Sequence, residues 1–325
     1  MKVCIYGAGA VGGHLAARLI AAGKDQVSLI ARGPHLEAIK KNGIRLHRGD
    51  EIFAGHPFIA TDDPGQLEPQ DIVIVTLKAQ ALPSVAASIK ALLAPGGVAI
   101  FAINGLPWWW NQGLHHDQGH LPLLDPMGDL WRLLRQDTLG CVIYSPNEVT
   151  EPGVILGAPG DRWVFGEPDN TDTPRLQNVI KLFERANIEA IASLDVRKNL
   201  WQKLIINVGL NPVAALARLP TVVMTSSDGM KEQMKALMRE ALAVAKATGY
   251  DIAGTLDLDE LVMPKKRPGS HRASMFQDVL AGRSLESEAI LGQLVEFAQQ
   301  RSVPVPKCEV VLELIRGLDH SMRLS

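Results

Sequence analysis

Glycines at positions 7, 9 and 12 constrain this chain more than any other feature. The stretch Gly7-Ala8-Gly9-Ala10-Val11-Gly12 directly follows the apolar run 2–6 and directly precedes a helical pattern over 10–22. In such a strand–turn–helix the first glycine permits the tight turn. The second lets the backbone approach a pyrophosphate at the positive end of the helix, and the third lets the helix lie close on the strand. The spacing alone is weak evidence. Its place between a strand and a helix makes Gly7, Gly9, Ala10, Val11 and Gly12 read as a dinucleotide cradle.

The second apolar run ends Leu29-Ile30-Ala31-Arg32. A site for NAD usually has Asp or Glu there for the ribose 2′-hydroxyl, and no carboxylate lies between residues 27 and 35. A guanidinium suits a 2′-phosphate instead, so Arg32 points to NADP.

Short apolar runs at 3–6, 27–30, 72–76 and 98–102 alternate with helical patterns at 10–22, 35–41 and 82–93. That alternation predicts an α/β fold, a doubly wound Rossmann-type sheet with helices on both faces. Residues 139–166 are β-rich, with turn signals at Glu151-Pro152-Gly153 and Ala158-Pro159-Gly160. A helix near 175–186 and a strand near 188–191 close this half. From about Val196 the chain reads as helix almost throughout. Met230, Met234, Leu237, Met238, Ala241, Leu242 and Ala245 recur at the spacing of a core stripe, and 285–301 and 307–319 have similar periods. A boundary near Leu194 divides 325 residues into a nucleotide domain, 1–194, and an all-helical domain, 195–325.

A formal net charge of −2 gives no electrostatic reason to expect nucleic acid as a partner. The longest apolar run, 92–103, is too short for a membrane span and holds Pro95, Gly96 and Gly97. The N-terminal stretch carries His14 and Arg18 and reads as strand, turn and helix rather than a leader. Cys4, Cys141 and Cys308 are widely spaced and odd in number, which fits neither a disulfide framework nor a metal site and suggests a reduced, cytoplasmic protein.

Lys203, Asn207 and Asn211 lie four residues apart, so a helix puts them on one face. Their segment is otherwise apolar, and burying such a stripe without partners costs several kcal/mol, so the pattern is unusual for stability alone. A lysine there can give a proton to an alkoxide formed by hydride transfer. The amides can hold a hydroxyl or carboxylate without titrating.

Several separated motifs together resemble the ketopantoate reductase family: GAGAVG at Gly7, Arg32, Val75-Thr76-Leu77-Lys78-Ala79, Ile103-Asn104-Gly105, LWQKLIINVGLNP around Lys203, and Ser274-Met275-Phe276-Gln277-Asp278 followed by Gly282-Arg283 and Glu286. The resemblance spans essentially the full length. It implies a Rossmann domain followed by a helical domain like that of 6-phosphogluconate dehydrogenase, with the active site in the cleft. It also implies NADPH-dependent reduction of ketopantoate to pantoate, in the route to pantothenate and coenzyme A. By that resemblance Lys203 is the general acid and Glu286 the carboxylate that pairs with the substrate hydroxyl. Asn207, Asn211 and Ser274 match substrate positions, Asn104 the cofactor–substrate junction, and Lys78 a lysine near the cofactor. The expected partner is a small 2-oxo acid; a homodimer is compatible.

Three departures bear on the substrate. His271 stands where the family often has Asn. Ala289 and Leu291 replace the Tyr and Asn of the usual signature after the glutamate. Trp108, Trp109 and Trp110 follow Asn104 closely, which reads either as an apolar wall for a larger substrate or as an anchor or dimer contact. The loop with His115, His116, Asp117 and His120 reads as a solvated insertion, not a metal site. Lys265-Lys266-Arg267 reads as a solvated face. A paralogous reductase of another 2-oxo acid or ketone, and a non-catalytic NADP(H)-binding sensor, are the rival readings. The sensor needs neither Lys203 nor Glu286.

Overall fold

In the computed structural model, residues 1–114, 119–264 and 272–324 are described. His115, His116, Asp117, the Lys265-Lys266-Arg267 run and His271 lie outside them. By internal contacts the chain forms two compact units. One is Met1–Ile103 with Trp108–Val196, and the other is Asn104–Pro107 with Arg197–Ser325.

Among its described residues the first unit is built on twelve strands: β1 (Lys2–Tyr6), β2 (Gln26–Ile30), β3 (Ile44–Arg48), β4 (Glu51–Gly55), β5 (Ala60–Thr61), β6 (Gln70–Val75), β7 (Leu93–Phe101), β8 (Thr138–Tyr144), β9 (Asn147–Glu151), β10 (Val154–Gly157), β11 (Arg162–Gly166) and β12 (Glu189–Ala192). Its helices are α1 (Ala10–Ala22), α2 (Gly33–Asn42), α3 (Ala86–Leu92), α4 (Asp129–Leu134) and α5 (Pro174–Arg185). The main sheet runs β12-β11-β8-β7-β6-β1-β2-β5, parallel from β5 through β8, with β11 antiparallel to β8. Val3, Cys4 and Ile5 of β1 are buried on both faces, as a parallel sheet covered on each side requires. From β1 the chain goes first to β2 on one side and later to β6 on the other, which makes the carboxyl ends of β1 and β6 a topological switch point.

A second sheet, β4-β3-β10-β9, lies on α1. The sequence reading assigns no strand to residues 44–61. The contact of this sheet is close: a Cβ on Gly13 would stand 2.7 Å from the Ile155 Cδ1. Helix α1 is therefore covered all round, with residues 12 through 19 buried in succession. Two of those residues are polar. Arg18 donates to the carbonyls of Ala186 (3.1 Å) and Asn187 (2.6 Å), and Arg48 of β3 reaches Asp161 at 2.8 Å. His14 lies 3.7 Å from the same carboxylate.

Trp108, Trp109 and Trp110 are each 1% exposed and belong to this first unit. Trp108 meets Phe101 edge to face at 5.2 Å, and Trp109 fills the space a Cβ on Gly140 would need. They anchor the chain after Pro107 in the core, so neither the substrate-wall reading nor the dimer-contact reading describes their position.

The second unit is helical: α6 (Val196–Ala217), α7 (Thr221–Thr225), α8 (Asp228–Ala247), α9 (Leu258–Leu261), α10 (Ser274–Leu280), α11 (Gln293–Gln300) and α12 (Pro306–Leu324). The α8 stripe buries Met234, Leu237, Met238, Ala241 and Ala245, while Met230 and Leu242 lie at its margins. Immediately before α11, residues Glu288–Gly292 form a π-helical turn. Among the described residues no helix is long and apolar enough to cross a membrane.

Burial, opposed by Asp161 and reinforced by Arg18 and Arg48, pushes the His14 imidazole down to about 4. An unfolded histidine titrates near 6.5. The stability this represents is fully present above pH 6.5 and is lost as pH falls toward 4, to the extent of about 3 kcal/mol. Urea unfolding across that range should show the loss in the native protein and a clearly shallower one in His14→Gln. Equal pH slopes would mean that His14 protonates freely within the fold.

Candidate functional site

Two groups of side chains stand out, one in each unit. In the first unit the turn after β1 is shaped by contacts that exclude side chains. A Cβ on Gly12 would fall 2.0 Å from the Gly7 carbonyl oxygen and 2.4 Å from the Thr76 Oγ1, so α1 approaches β1 more closely than any other residue allows. The Thr76 hydroxyl donates to that same Gly7 carbonyl. Gly9 differs: a Cβ there meets nothing within 4 Å. The second glycine thus faces open space at the start of α1, where Ala10 and Val11 begin the helix. A helix leaves its first N–H groups without internal partners, and no carboxylate occupies the first turn of α1. These residues fit the pyrophosphate of a dinucleotide.

Arg32 follows β2 at the N-cap of α2, exposed and without an ion pair among the described residues. Its charge reaches the end of β1: Arg32 lowers the Tyr6 phenol, against the larger upward push of burial. Lys78 lies half-buried just past β6, at the start of a 3-10 turn.

In the second unit α6 carries Lys203, Asn207 and Asn211 on one face. Lys203 Nζ donates to Asn104 Oδ1 at 2.8 Å, and Asn104 Nδ2 donates to Glu286 Oε2 at 3.3 Å. The two bonds fix which way the Asn104 amide points. Lys203 is half-buried and Glu286 only 6% exposed. Asn211 is buried as well, and the buried Asn207 Nδ2 has no hydrogen-bond partner among the described residues. A buried donor without a partner costs about 1–3 kcal/mol, so the amide suits a group that arrives from outside. Ser274, the first residue of α10, is exposed and shares no hydrogen bond with these groups among the described residues.

The cluster is seated by groups that sequence reasoning missed. Leu106 N–H donates to the Ala289 carbonyl at 2.7 Å, pinning the four-residue strap Asn104–Pro107 to the π turn. Gly105 adopts φ +86°, and a Cβ there would lie 2.3 Å from the Ala289 oxygen. Ala289 and Leu291, 1% and 0% exposed, line that turn. Asp319 of α12 accepts from the Leu285 N–H at 2.7 Å, and Arg316 grips both oxygens of Glu288 at 2.8 and 2.7 Å. Glu286 is thereby bracketed from both sides along its own chain. No local motif announces Arg316 or Asp319, because what they meet is some thirty residues away. Among the described residues no group of His, Cys, Asp or Glu is arranged to hold a metal ion.

Residues 3–108 match the family model of ketopantoate reductase PanE/ApbA, and 195–319 that of the ketopantoate reductase PanE/ApbA C terminal. The chain is similar to the 2-dehydropantoate 2-reductase of Mesorhizobium japonicum, with 34% identity over 322 residues and 98% of each chain covered. It is also similar to a solved PanE/ApbA family ketopantoate reductase from Ralstonia eutropha JMP134. There the identity is 28% and the TM-score 0.80, covering 99% of this chain and 100% of that one. A D-mandelate dehydrogenase solved with NADH and anilino(oxo)acetate shares the fold, with a TM-score of 0.84 at 17% identity, covering 99% of this chain and 100% of that one.

Gly105→Ala should destabilise the protein by about 1–3 kcal/mol in denaturant titrations, through left-handed strain and the clash with Ala289. Gly9→Ala, with open space around it and an extended backbone, should cost under about 0.5 kcal/mol. Equal effects would contradict the contrast in their surroundings.

Proposed function

Because this chain belongs to the ketopantoate reductase family of oxidoreductases, we propose that it reduces 2-dehydropantoate to pantoate with NADPH, Lys203 giving the proton. The observation that carries this reading is the hydrogen-bonded series Lys203–Asn104–Glu286, an ammonium and a carboxylate joined through one amide.

When bound, the reduced nicotinamide supplies a hydride to the keto carbon. Lys203 then has two tasks. Its positive charge draws electron density onto the keto oxygen, and its Nζ proton passes to that oxygen as the alcohol forms. Asn104 Oδ1 holds the ammonium while carrying no proton that could be lost. Glu286, an acceptor when ionised, takes the hydroxyl of the substrate. The unpartnered Asn207 amide and the buried Asn211 hold its remaining oxygens. Gly7, Gly9, Ala10, Val11 and Gly12 take the pyrophosphate, Arg32 the 2′-phosphate, and Lys78 the nucleotide nearby. Cys4, Cys141 and Cys308, buried and joined in no disulfide among the described residues, suit a reducing cytoplasm.

A second reading, a bulkier or more apolar 2-oxo acid as the better substrate, is favoured by one observation. The π turn beside Glu286 carries Ala289 and Leu291, both apolar and buried. Comparing kcat/KM for ketopantoate with larger analogues decides between the two readings. Nucleotide binding without turnover of any 2-oxo acid would favour the sensor instead.

Lys203→Ala should lose roughly 10²–10⁴ in kcat, the usual contribution of a general acid, while NADPH affinity stays within a few-fold. Turnover near the wild-type rate would remove Lys203 from the role. The wild type should bind NADPH more tightly than NADH. Arg32→Ala should erase most of a preference of roughly ten- to a hundred-fold, the size of a charge-assisted contact. Wild-type protein that binds both nucleotides equally would refute NADP selection.

A further inference from the structure

His35, which the sequence reading passes over, sits in the first turn of α2, three residues past Arg32. Its ring joins two backbones far apart in the chain. The Gly153 N–H donates to Nδ1 at 3.0 Å, and Nε2 lies 2.6 Å from the Ala8 carbonyl oxygen. Because Nδ1 accepts, the ring proton is on Nε2, which donates to Ala8. Burial also lowers the His35 pKa, which keeps the ring neutral and Nδ1 free to accept.

Ala8 is the residue between the first two glycines of the turn. A trans peptide is planar, with its C=O and the following N–H pointing in opposite directions. Holding the Ala8 carbonyl on the His35 side therefore turns the Gly9 N–H to the other side. That N–H has no hydrogen-bond partner among the described residues, and the space around Gly9 is open. We propose that His35 is a positioning residue for nucleotide binding: its Nε2–H, held by Gly153, orients the Ala8–Gly9 peptide so that the Gly9 N–H meets the dinucleotide pyrophosphate. This rests on the nucleotide reading above. It adds a residue that acts through the Ala8–Gly9 backbone.

Two substitutions separate the two contacts. Glutamine extends an N–H donor to the position of Nε2, so His35→Gln keeps the Ala8 bond and loses the Gly153 one. Asparagine puts an acceptor at the position of Nδ1, so His35→Asn keeps Gly153 and loses Ala8. NADPH dissociation constants measured by fluorescence titration should stay within about three-fold for His35→Gln and rise roughly ten-fold or more for His35→Asn. With saturating NADPH, kcat should change little in either, a split that a general loss of structure does not produce. Equal weakening in both variants, tracking their loss of unfolding stability, would reduce His35 to a structural tie and overturn the proposal. So would wild-type affinity in His35→Asn.

One measurement needs no substitution. The ¹⁵N shifts of the His35 ring in the wild-type protein should report the Nε2–H tautomer, and the Gly9 amide should shift on addition of NADP⁺. A ring protonated at Nδ1, or an unmoved Gly9 amide in protein that binds NADP⁺, overturns the proposal. Wild-type protein that binds neither NADPH nor NADH overturns the nucleotide reading itself, an outcome the other arms cannot mimic.

Discussion

The approach of α1 to β1 at Gly12 sets the terms for the first unit. Where a methyl group would stand 2.0 Å from a backbone oxygen, helix and strand lie closer than any side chain at this position would permit. That distance fixes where the first turn of α1 points. Gly13 likewise lets the second sheet close on the helix, where a Cβ would stand 2.7 Å from the Ile155 Cδ1. A helix buried on every side cannot be recognised by an apolar stripe, and α1 has none: small residues, His14 and Arg18 share its surface. Arg18 is tolerated because it meets carbonyls and a carboxylate in the covering layer, whereas both ring nitrogens of the buried, neutral His14 have no hydrogen-bond partner among the described residues.

The second unit depends on an equally tight contact of another kind. A π turn is wider than the α-helix around it, and such turns recur where a chain must present a group out of the regular ladder. Here the Ala289 carbonyl serves a strap from a distant part of the sequence, and Gly105 is the residue that can lie against it. The order of cause is clear. The π turn fixes the strap, the strap fixes Asn104, and Asn104 fixes the separation between an ammonium and a carboxylate. An amide suits that place because its donor and acceptor stay the same at any pH the protein meets.

Much of this was readable in advance, and the limits are physical. The parallel strands announce themselves as compact apolar runs because both their faces are covered. The glycine turn is legible because backbone contacts that exclude side chains leave no other residue possible. Lys203, Asn207 and Asn211 could be read from spacing alone. Asn104 and Glu286 needed the family likeness, since their partners are distant. The β3–β4 hairpin escaped although Gly49-Asp50 between alternating residues is a fair signal for it; β4 is largely exposed and lacks the apolar face that betrays a strand. The tryptophans left two readings open, because three large aromatics in a row serve equally as an apolar wall or as an anchor; their burial in the core selects the anchor. His35, Arg316 and Asp319 were out of reach, because each acts on backbone or charge far along the chain.

The all-round burial of α1 has a consequence for the order in which the chain can assemble. Helix α1 is among the first segments made, but Asp161, which meets Arg18, comes 143 residues later, and the carbonyls of Ala186 and Asn187 later still. Contacts this distant in sequence carry the largest loop-closure cost and are the slowest to form. Until they do, the flank of α1 where Arg18 lies over Phe53 is only partly covered. His14 and Arg18 lie on that flank, hydrated while the helix waits; the covering layer then pairs Arg18 with Asp161 and backbone carbonyls and leaves the His14 ring neutral. A purely apolar helix in their place would spend the same interval as exposed hydrophobic surface, open to association with other unfinished chains.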